Sequence, residues 1–468
     1  MDTKKLYING EWINSTGDEI AEVLNPTTEE VIATVPVGTK EDIDKAVAVA
    51  KDAFLSWNTM PIDERIALME KFYDAIQARK DEIVDTIVAE LGASKNFAID
   101  TQVGLPLKEI RATIDAVKEH DFEYELENTQ VIEEGYGVVA CITPWNYPLL
   151  QIERKVVPAL LAGNTVVLKP ASNTPLTAVL YAEIMDEVGF PKGVFNLVTG
   201  SGSTTGDYLT SHKDVAVISF TGSTAVGSTM YEKAADGIKQ VVLELGGKSP
   251  LVYLKGGDLK KAVKQAMNTV LKNQGQTCTA LTRLLVPNDD LEETKQLILD
   301  YYEEAVVIGD PTDEKTMVGP LVSQDQMDTV LEYIETGKKE GAETLVGGNK
   351  IDRTGFYVEP TVFVNATNDM TISQEEIFGP VLTVLTYDTV EEAIEIGNDS
   401  IYGLSGAVIG PEEEAVKVAR QLRTGNVIVN GQGRNPRAPF GGYKQSGRGR
   451  ELGIYGVEDY LEIKSIFV

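Results

Sequence analysis

From residue 136 to 245 the chain alternates short apolar runs with helix-period stretches, and this alternation restricts its fold more than any other feature. Strands are expected at 136–142, 164–168, 194–198, 215–220 and 240–245, with helices at 150–161, 174–189, 203–211 and 224–237 between them. Strands joined through helices of this length form βαβ units, and hence a parallel sheet covered by helices. A second series follows, with strands near 250–254, 282–286, 357–363, 382–387, 405–409 and 426–429 and helices at 258–273, 290–305, 323–340, 390–398 and 411–423. Two helical stretches, 41–58 and 62–91, come before both. At 468 residues the chain is too long for one ordinary core, so two or three domains are expected. The run Glu123–Leu126 and its return Gln130–Ile132 read as a hairpin, and Asp459–Val468 as an alternating, then apolar, final strand. Left in solvent, that strand would be a sticky edge, so it is expected to pair with the hairpin, across subunits.

Composition narrows the chemistry. Lys plus Arg number 42 against 72 Asp plus Glu, a formal charge of −30, which opposes binding of nucleic acid or an anionic membrane through a general surface field. The start Met1-Asp2-Thr3-Lys4-Lys5 lacks the apolar core of a leader, and no window approaches the roughly 18 apolar residues of a membrane span. Two dissimilar cysteines give no disulfide framework, which fits a reducing cytoplasm. The two histidines, His120 and His212, lie in polar connecting sequence, so a metal centre and a Ser-His-Asp hydrolase are both disfavoured.

Of the two thiols, Cys141 sits in the apolar strand 137–142 and is expected to be buried and inert. Cys278 lies in the small, polar stretch Asn273-Gln274-Gly275-Gln276-Thr277-Cys278-Thr279, which suits a presented nucleophile. With no histidine near it, its base is expected to be a carboxylate. Glu244, alone amid apolar β sequence (Val241-Val242-Leu243-Glu244-Leu245), is one candidate, because burial raises a carboxyl pKa toward neutrality; a buried structural ion pair is the alternative. Asn146 in Pro144-Trp145-Asn146-Tyr147-Pro148 could donate to an oxyanion or merely shape a turn. Two glycine clusters, Gly200-Ser201-Gly202-Ser203-Thr204-Thr205-Gly206 and Phe220-Thr221-Gly222-Ser223, each follow a strand and could cradle a phosphate; the first has one residue too many for a dinucleotide fingerprint. Lys169 closes the strand before Pro170-Ala171-Ser172, where ligands bind in parallel sheets.

In order, Thr143–Pro148, Lys169–Ser172, Phe220–Ser223, Leu243–Lys248, Gly275–Cys278, Glu375–Pro380 and Pro439–Gly442 with Ser446-Gly447 resemble the aldehyde dehydrogenase superfamily, over essentially the whole chain. The resemblance implies an α/β fold of two parallel-sheet domains with a small β oligomerisation arm. The cofactor-binding domain, a variant Rossmann unit, is expected at 1–117 and 138–247, the catalytic domain at 248–446 and the arm at 118–137 and 447–468. It implies oxidation of a small-molecule aldehyde to a carboxylic acid with NAD or NADP, by a cytoplasmic homodimer or homotetramer. Cys278 would attack the aldehyde to give a thiohemiacetal, with Asn146 and the Cys278 backbone N–H holding the oxyanion. Hydride transfer to the nicotinamide would leave a thioester, and Glu244 would activate the water that hydrolyses it. Lys155 matches a lysine near the family's active site. For the cofactor the resemblance points to Gly222 and Ser223 at the pyrophosphate, Gly202 and Ser203 at the adenine, and Lys169 at the adenosine ribose. Glu376 would meet the nicotinamide ribose, with Phe378, Trp145 and Leu245 close by. Many NAD-preferring members carry glutamate where this chain has Ser172, so NADP is expected to be accepted. A CoA-acylating dehydrogenase and a non-catalytic binding protein on the same fold are the alternative functions; Glu244 weighs against the first, and the intact Cys278, Glu244 and Asn146 against the second. The loop 431–438 adds Arg434 and Arg437, which would favour an aldehyde carrying a carboxylate if they stand at the tunnel mouth, or else belong to the surface.

Overall fold

The computed structural model describes residues 3–468; Met1 and Asp2, where the leader-free start was read, lie outside the described residues. Five parallel strands form the middle of an eight-stranded sheet, in the order Gln240–Glu244, Val215–Thr221, Val138–Ile142, Thr165–Lys169, Phe195–Leu197. The chain lays down Val138–Ile142 first, winds outward on one side through Thr165–Lys169 and Phe195–Leu197, and then returns to build the other side. A switch point of this kind leaves a crevice at the carboxyl ends of the strands.

A seven-stranded second sheet runs Glu343–Val346, Thr361–Val364, Val381–Tyr387, Arg283–Pro287, Pro250–Tyr253, Ser405–Ile409, Asn426–Val429, parallel except at its first edge. The central strands of both sheets are buried on both faces, which is why they read as continuous apolar runs. Only the five residues 245–249 separate the last parallel strand of the first sheet from Pro250–Tyr253 of the second. The carboxyl edge of one sheet therefore faces the amino edge of the other.

Four expectations change. The strands Leu6–Ile8 and Glu11–Ile13, which extend the first sheet antiparallel, and the hairpin Ile20–Leu24/Val31–Pro36 were not anticipated; the first two, three residues each, are too short to show a period. The strand expected at 357–363 begins only at Thr361, after Pro360, which cannot donate to a ladder. The final strand, Leu461–Phe467, does pair with the hairpin (Thr129–Gly135 beside Glu123–Leu126), but within the same chain, Leu461 opposite Gly135 and Phe467 opposite Thr129. Tyr460 fixes its start, accepting from Asn164 Nδ2 at 2.9 Å and meeting Ser219 Oγ through its hydroxyl at 2.7 Å. Residues before it differ from the expected arm as well: Gly447–Arg448 is an edge strand of the first sheet, and helix Gly453–Glu458 lies on helix Gly104–Lys118. No helix among the described residues is long and apolar enough to cross a membrane.

Candidate active site

Four of the residues singled out from sequence stand at the carboxyl ends of adjacent parallel strands. Ile142 leads into Trp145 and Asn146; its register partners are Lys169 on one side and Phe220 on the other, and Thr221 pairs with Glu244. Gly222 and Ser223 then open helix Thr224–Ala235, whose first turn Ser223 caps through Val226 N.

Cys278 comes from the other sheet, on the loop between helix Leu259–Leu271 and strand Arg283–Pro287. The loop is bent by three consecutive residues in the left-handed region, Asn273 (φ 51°), Gln274 (φ 55°) and Gly275 (φ 69°). Gln274 is an uncommon residue there, and its Nε2 donates to Gly92 O at 3.0 Å; a side chain at Gly275 would strike the Gly379 carbonyl. The same bend aims Asn146. Gln102 and Asn273 donate to its backbone carbonyl at 3.0 and 2.9 Å, and its own Nδ2 donates to Gln276 O at 2.9 Å. A primary amide has two N–H groups, so one remains to donate elsewhere.

Cys278 lines two cavities. One, of about 290 Å3, brings together Trp145, Asn146, Gly222, Ser223, Leu245, Glu376 and Phe378 with the thiol. Trp145 and Phe378 meet edge to face there, ring centroids 5.2 Å apart, and Glu376 accepts from Gly247 N at 2.9 Å. Burial pushes the Glu376 carboxyl up to about 7. This cavity suits a dinucleotide: a helix N-terminus offers N–H groups to phosphate, the carboxyl can accept from ribose hydroxyls, and the two rings can wall a flat heterocycle. A side chain at Gly222 would strike the Phe220 ring. The second cavity, of about 240 Å3, shares Cys278 and Gln151 with the first and is lined by helix Pro148–Leu161 and the segment carrying Arg434 and Phe440.

The remaining sequence candidates stand apart from these walls. Lys169 and Ser172 both donate to Gly200 O at 3.1 Å, and burial lowers the lysine to about 8. Gly202 and Ser203 are exposed on a π-type turn, Ser203 rimming a separate cleft of about 550 Å3. Glu244 is buried with no hydrogen-bond partner on either carboxylate oxygen, and burial, then the charge of Glu451, raises it well above the usual carboxylate range. Lys155 is fully buried and pairs with Glu451 at 3.1 Å.

Sequence reasoning gave Glu451, Glu109 and Arg154 no role. Arg154 binds Glu109 through two hydrogen bonds of 2.7 and 2.8 Å, lies 3.6 Å from Glu451, and stacks on Phe440 at 4.6 Å. The spacing Tyr147, Leu150, Gln151, Arg154 places one helix face along the second cavity, a signal present in the sequence. Nothing comparable marked Glu451, which arrives from nearly 300 residues away. Arg437 is not at the cavity; it pairs with Glu119 on the surface.

The thiol itself is less open than its polar sequence suggested. Cys278 is half-buried, and burial, then Glu376 and Glu244, push it up to about 12, while Arg154 and Arg434 pull the other way. A negative neighbour disfavours the thiolate, and Glu376 carries its charge only above about pH 7. Alkylation of Cys278 by iodoacetamide should therefore be several-fold faster in Glu376→Gln than in wild type above pH 7, and equal below it. Equal rates up to pH 9 would show that the carboxylate does not act on the sulfur.

The chain matches the model of the aldehyde dehydrogenase family over residues 12–466. It belongs to that family. Oxidation of an aldehyde to a carboxylic acid with a nicotinamide cofactor is the activity this membership carries. A chain from Staphylococcus aureus strain USA300, itself only provisionally named an aldehyde dehydrogenase, is 47% identical over 99% of this chain and 98% of its own length. Aldehyde dehydrogenase C of Pseudomonas syringae, solved as a cysteine-to-alanine variant with NAD+ and octanal, is 41% identical with a TM-score of 0.97, over 99% of this aldehyde dehydrogenase and 96% of that chain. A Staphylococcus aureus betaine aldehyde dehydrogenase solved with NAD+ is 38% identical with a TM-score of 0.95, over 99% and 94%.

Proposed function

We propose that the seam between the two sheets oxidises an aldehyde to its acid, with Cys278 as nucleophile. The observation that carries this is that Cys278 lines both cavities, so that a group bound in either would lie beside it. The aldehyde would lie in the cavity of helix Pro148–Leu161 and the cofactor in that of Trp145 and Glu376. Bound there, a nicotinamide supplies the hydride acceptor. Cys278 Sγ adds to the carbonyl carbon, and the spare Asn146 N–H and the Cys278 backbone N–H stabilise the oxygen that becomes negative; loss of one such donor typically costs about 2.7–4 kcal/mol. Once hydride has left, the carbon is a thioester. Glu244, raised in pKa and unpartnered, takes a proton from the attacking water, and the acid leaves with the thiol restored. Lys155 holds Glu451 beside Glu244.

In this reading Gly222, Ser223 and Leu245 hold the pyrophosphate side and Glu376 with Phe378 the nicotinamide side, while Lys169, Ser172, Gly202 and Ser203 serve the adenosine end. The first sheet is the cofactor domain (1–117 and 138–247) and the second the catalytic domain (248–446). Residues 118–137 with the final strand Leu461–Phe467 serve as the arm of a homodimer or homotetramer. Support for the arm is the unpaired outer edge of the final strand, with Ile463, Phe467 and Val468 exposed along it.

A panel of aldehydes assayed with NAD and with NADP, reading the reduced-nicotinamide absorbance, tests the function; no turnover with either cofactor would reject it. The same assay reads cofactor choice. Ser172 brings no negative charge to repel a 2′-phosphate, so NADP should be used, and Ser172→Glu should raise the KM for NADP about tenfold or more while sparing NAD. Because Lys169 titrates near 8, the KM for NADP should also rise as the pH passes that value, since the neutral amine no longer attracts phosphate. A strong NAD preference unchanged by Ser172→Glu would refute this assignment.

A further inference from the structure

The substrate-side cavity has a charge pattern unlike the rest of the molecule. In a chain of formal charge −30, its walls carry Arg154, Lys272 and Arg434 and not one carboxylate. Arg154 is committed to Glu109. The other two have no carboxylate within ion-pair distance among the described residues; Arg434 spends one N–H on Ser405 Oγ at 3.3 Å. Although Arg434 is exposed as a residue, its guanidinium end lies within the protein, where burial and then the neighbouring Arg154 lower its pKa. It stacks on Phe440 with its carbon 5.5 Å from the ring centre, and Arg154 stacks on the same ring at 4.6 Å. Two guanidiniums crowded on one ring, one of them without a counter-ion, are held in a repulsive arrangement that an anion would relieve. Both line the same 240 Å3 cavity as Cys278. An anion meeting Arg434 would therefore sit a short chain away from the sulfur.

Resting on the function proposed above, we infer that the preferred substrate is a short aldehyde with a carboxylate at its far end, held by the Arg434 guanidinium with Lys272 nearby, so that the product is a dicarboxylate. The cavity's 240 Å3 falls below the roughly 300–1,000 Å3 of sites for drug-sized ligands, which suits a chain of a few carbons and not a ring system. Tyr147 and Leu150 supply its less polar walls. Gln151 carries a buried side-chain oxygen with no partner on the same wall, and it can order the aldehyde end through a bridging water that donates to both oxygens. The oxidation balances as for any aldehyde: the carbon gives a hydride to the oxidised cofactor, water supplies the oxygen, and two protons are released.

The experiment compares pentanal with 5-oxopentanoate at saturating cofactor. A charge-assisted hydrogen bond is worth about 1.5–3 kcal/mol, so kcat/KM should favour the carboxylate about 10–100-fold, mostly through KM. In Arg434→Met that ratio should fall to near one, and Arg434→Lys should keep part of it; a ratio is unaffected by the fraction of enzyme folded. Calorimetric titration with glutarate reads the same contact without turnover and should show binding lost in Arg434→Met. A wild-type ratio near one, or a ratio that survives Arg434→Met, overturns the inference. So does a variant in which only the pH profile of Cys278 alkylation moves, since that would make Arg434 a positioning residue for the thiol. Absence of turnover on both aldehydes would instead overturn the function itself, and the inference with it.

Discussion

Cys278→Ala is expected to lower kcat by about 10^4–10^6-fold, the scale on which enzymes lose a covalent nucleophile, while the fold and cofactor binding survive. Stopped-flow absorbance at the reduced-nicotinamide band should show neither a burst nor a steady state, and titration with cofactor should still quench intrinsic fluorescence. The size of the loss follows from the scarcity of substitutes. The one other thiol, Cys141, lies in the middle of strand Val138–Ile142, fully buried, with burial pushing it up to about 12. Neither histidine lines either cavity. Activity within tenfold of wild type would mean that the sulfur does not form the covalent intermediate.

The second large effect is on stability. Arg154→Leu leaves the Glu109 carboxyl without either of its two guanidinium hydrogen bonds, at a site where both side chains are almost fully buried. Breaking a buried ion pair from one side costs about 3–5 kcal/mol, because the remaining charge is neither solvated nor paired. Urea titration followed by circular dichroism should show a clearly lower midpoint. The double variant Glu109→Leu with Arg154→Leu should recover much of that loss, since it removes the stranded charge together with its partner. If the single and double variants unfold alike, the pair is not coupled and the cost resides in the lost packing of Arg154 on Phe440.

The parts of this molecule that could be read in advance are those governed by local periodicity. Strands such as Val215–Thr221 and Ser405–Ile409 announce themselves as apolar runs because both faces are covered, and the helices between them keep their 3.6-residue spacing. Three-residue strands such as Leu6–Ile8 carry no period, and they exist because an edge of the sheet is available to pair with. The same division holds at the site. Cys278, Glu244 and Asn146 stood out as polar or reactive groups in sequence that did not otherwise call for them. Glu451 could not, because its importance comes from a meeting with Arg154 and with Lys155, the latter 296 positions away, a distance that no window spans. The openness of Cys278 was misjudged for a related reason: a small, polar segment predicts accessibility only if nothing folds over it, and here Glu376 and the helix carrying Arg154 do.

The stretch Leu245–Ser249 has a further meaning. A side chain at Gly246 would overlap the Glu376 carboxylate, and one at Gly247 would overlap the carbonyl of Cys278 itself. The two glycines thus act as shims, one against the Glu376 carboxylate on the cofactor side and the other against the backbone of the nucleophile, setting both gaps by their lack of bulk. With no slack on either side, any drift of one sheet against the other is passed straight into the spacing of cofactor and nucleophile, so the tolerances of the chemistry are those of a joint five residues long.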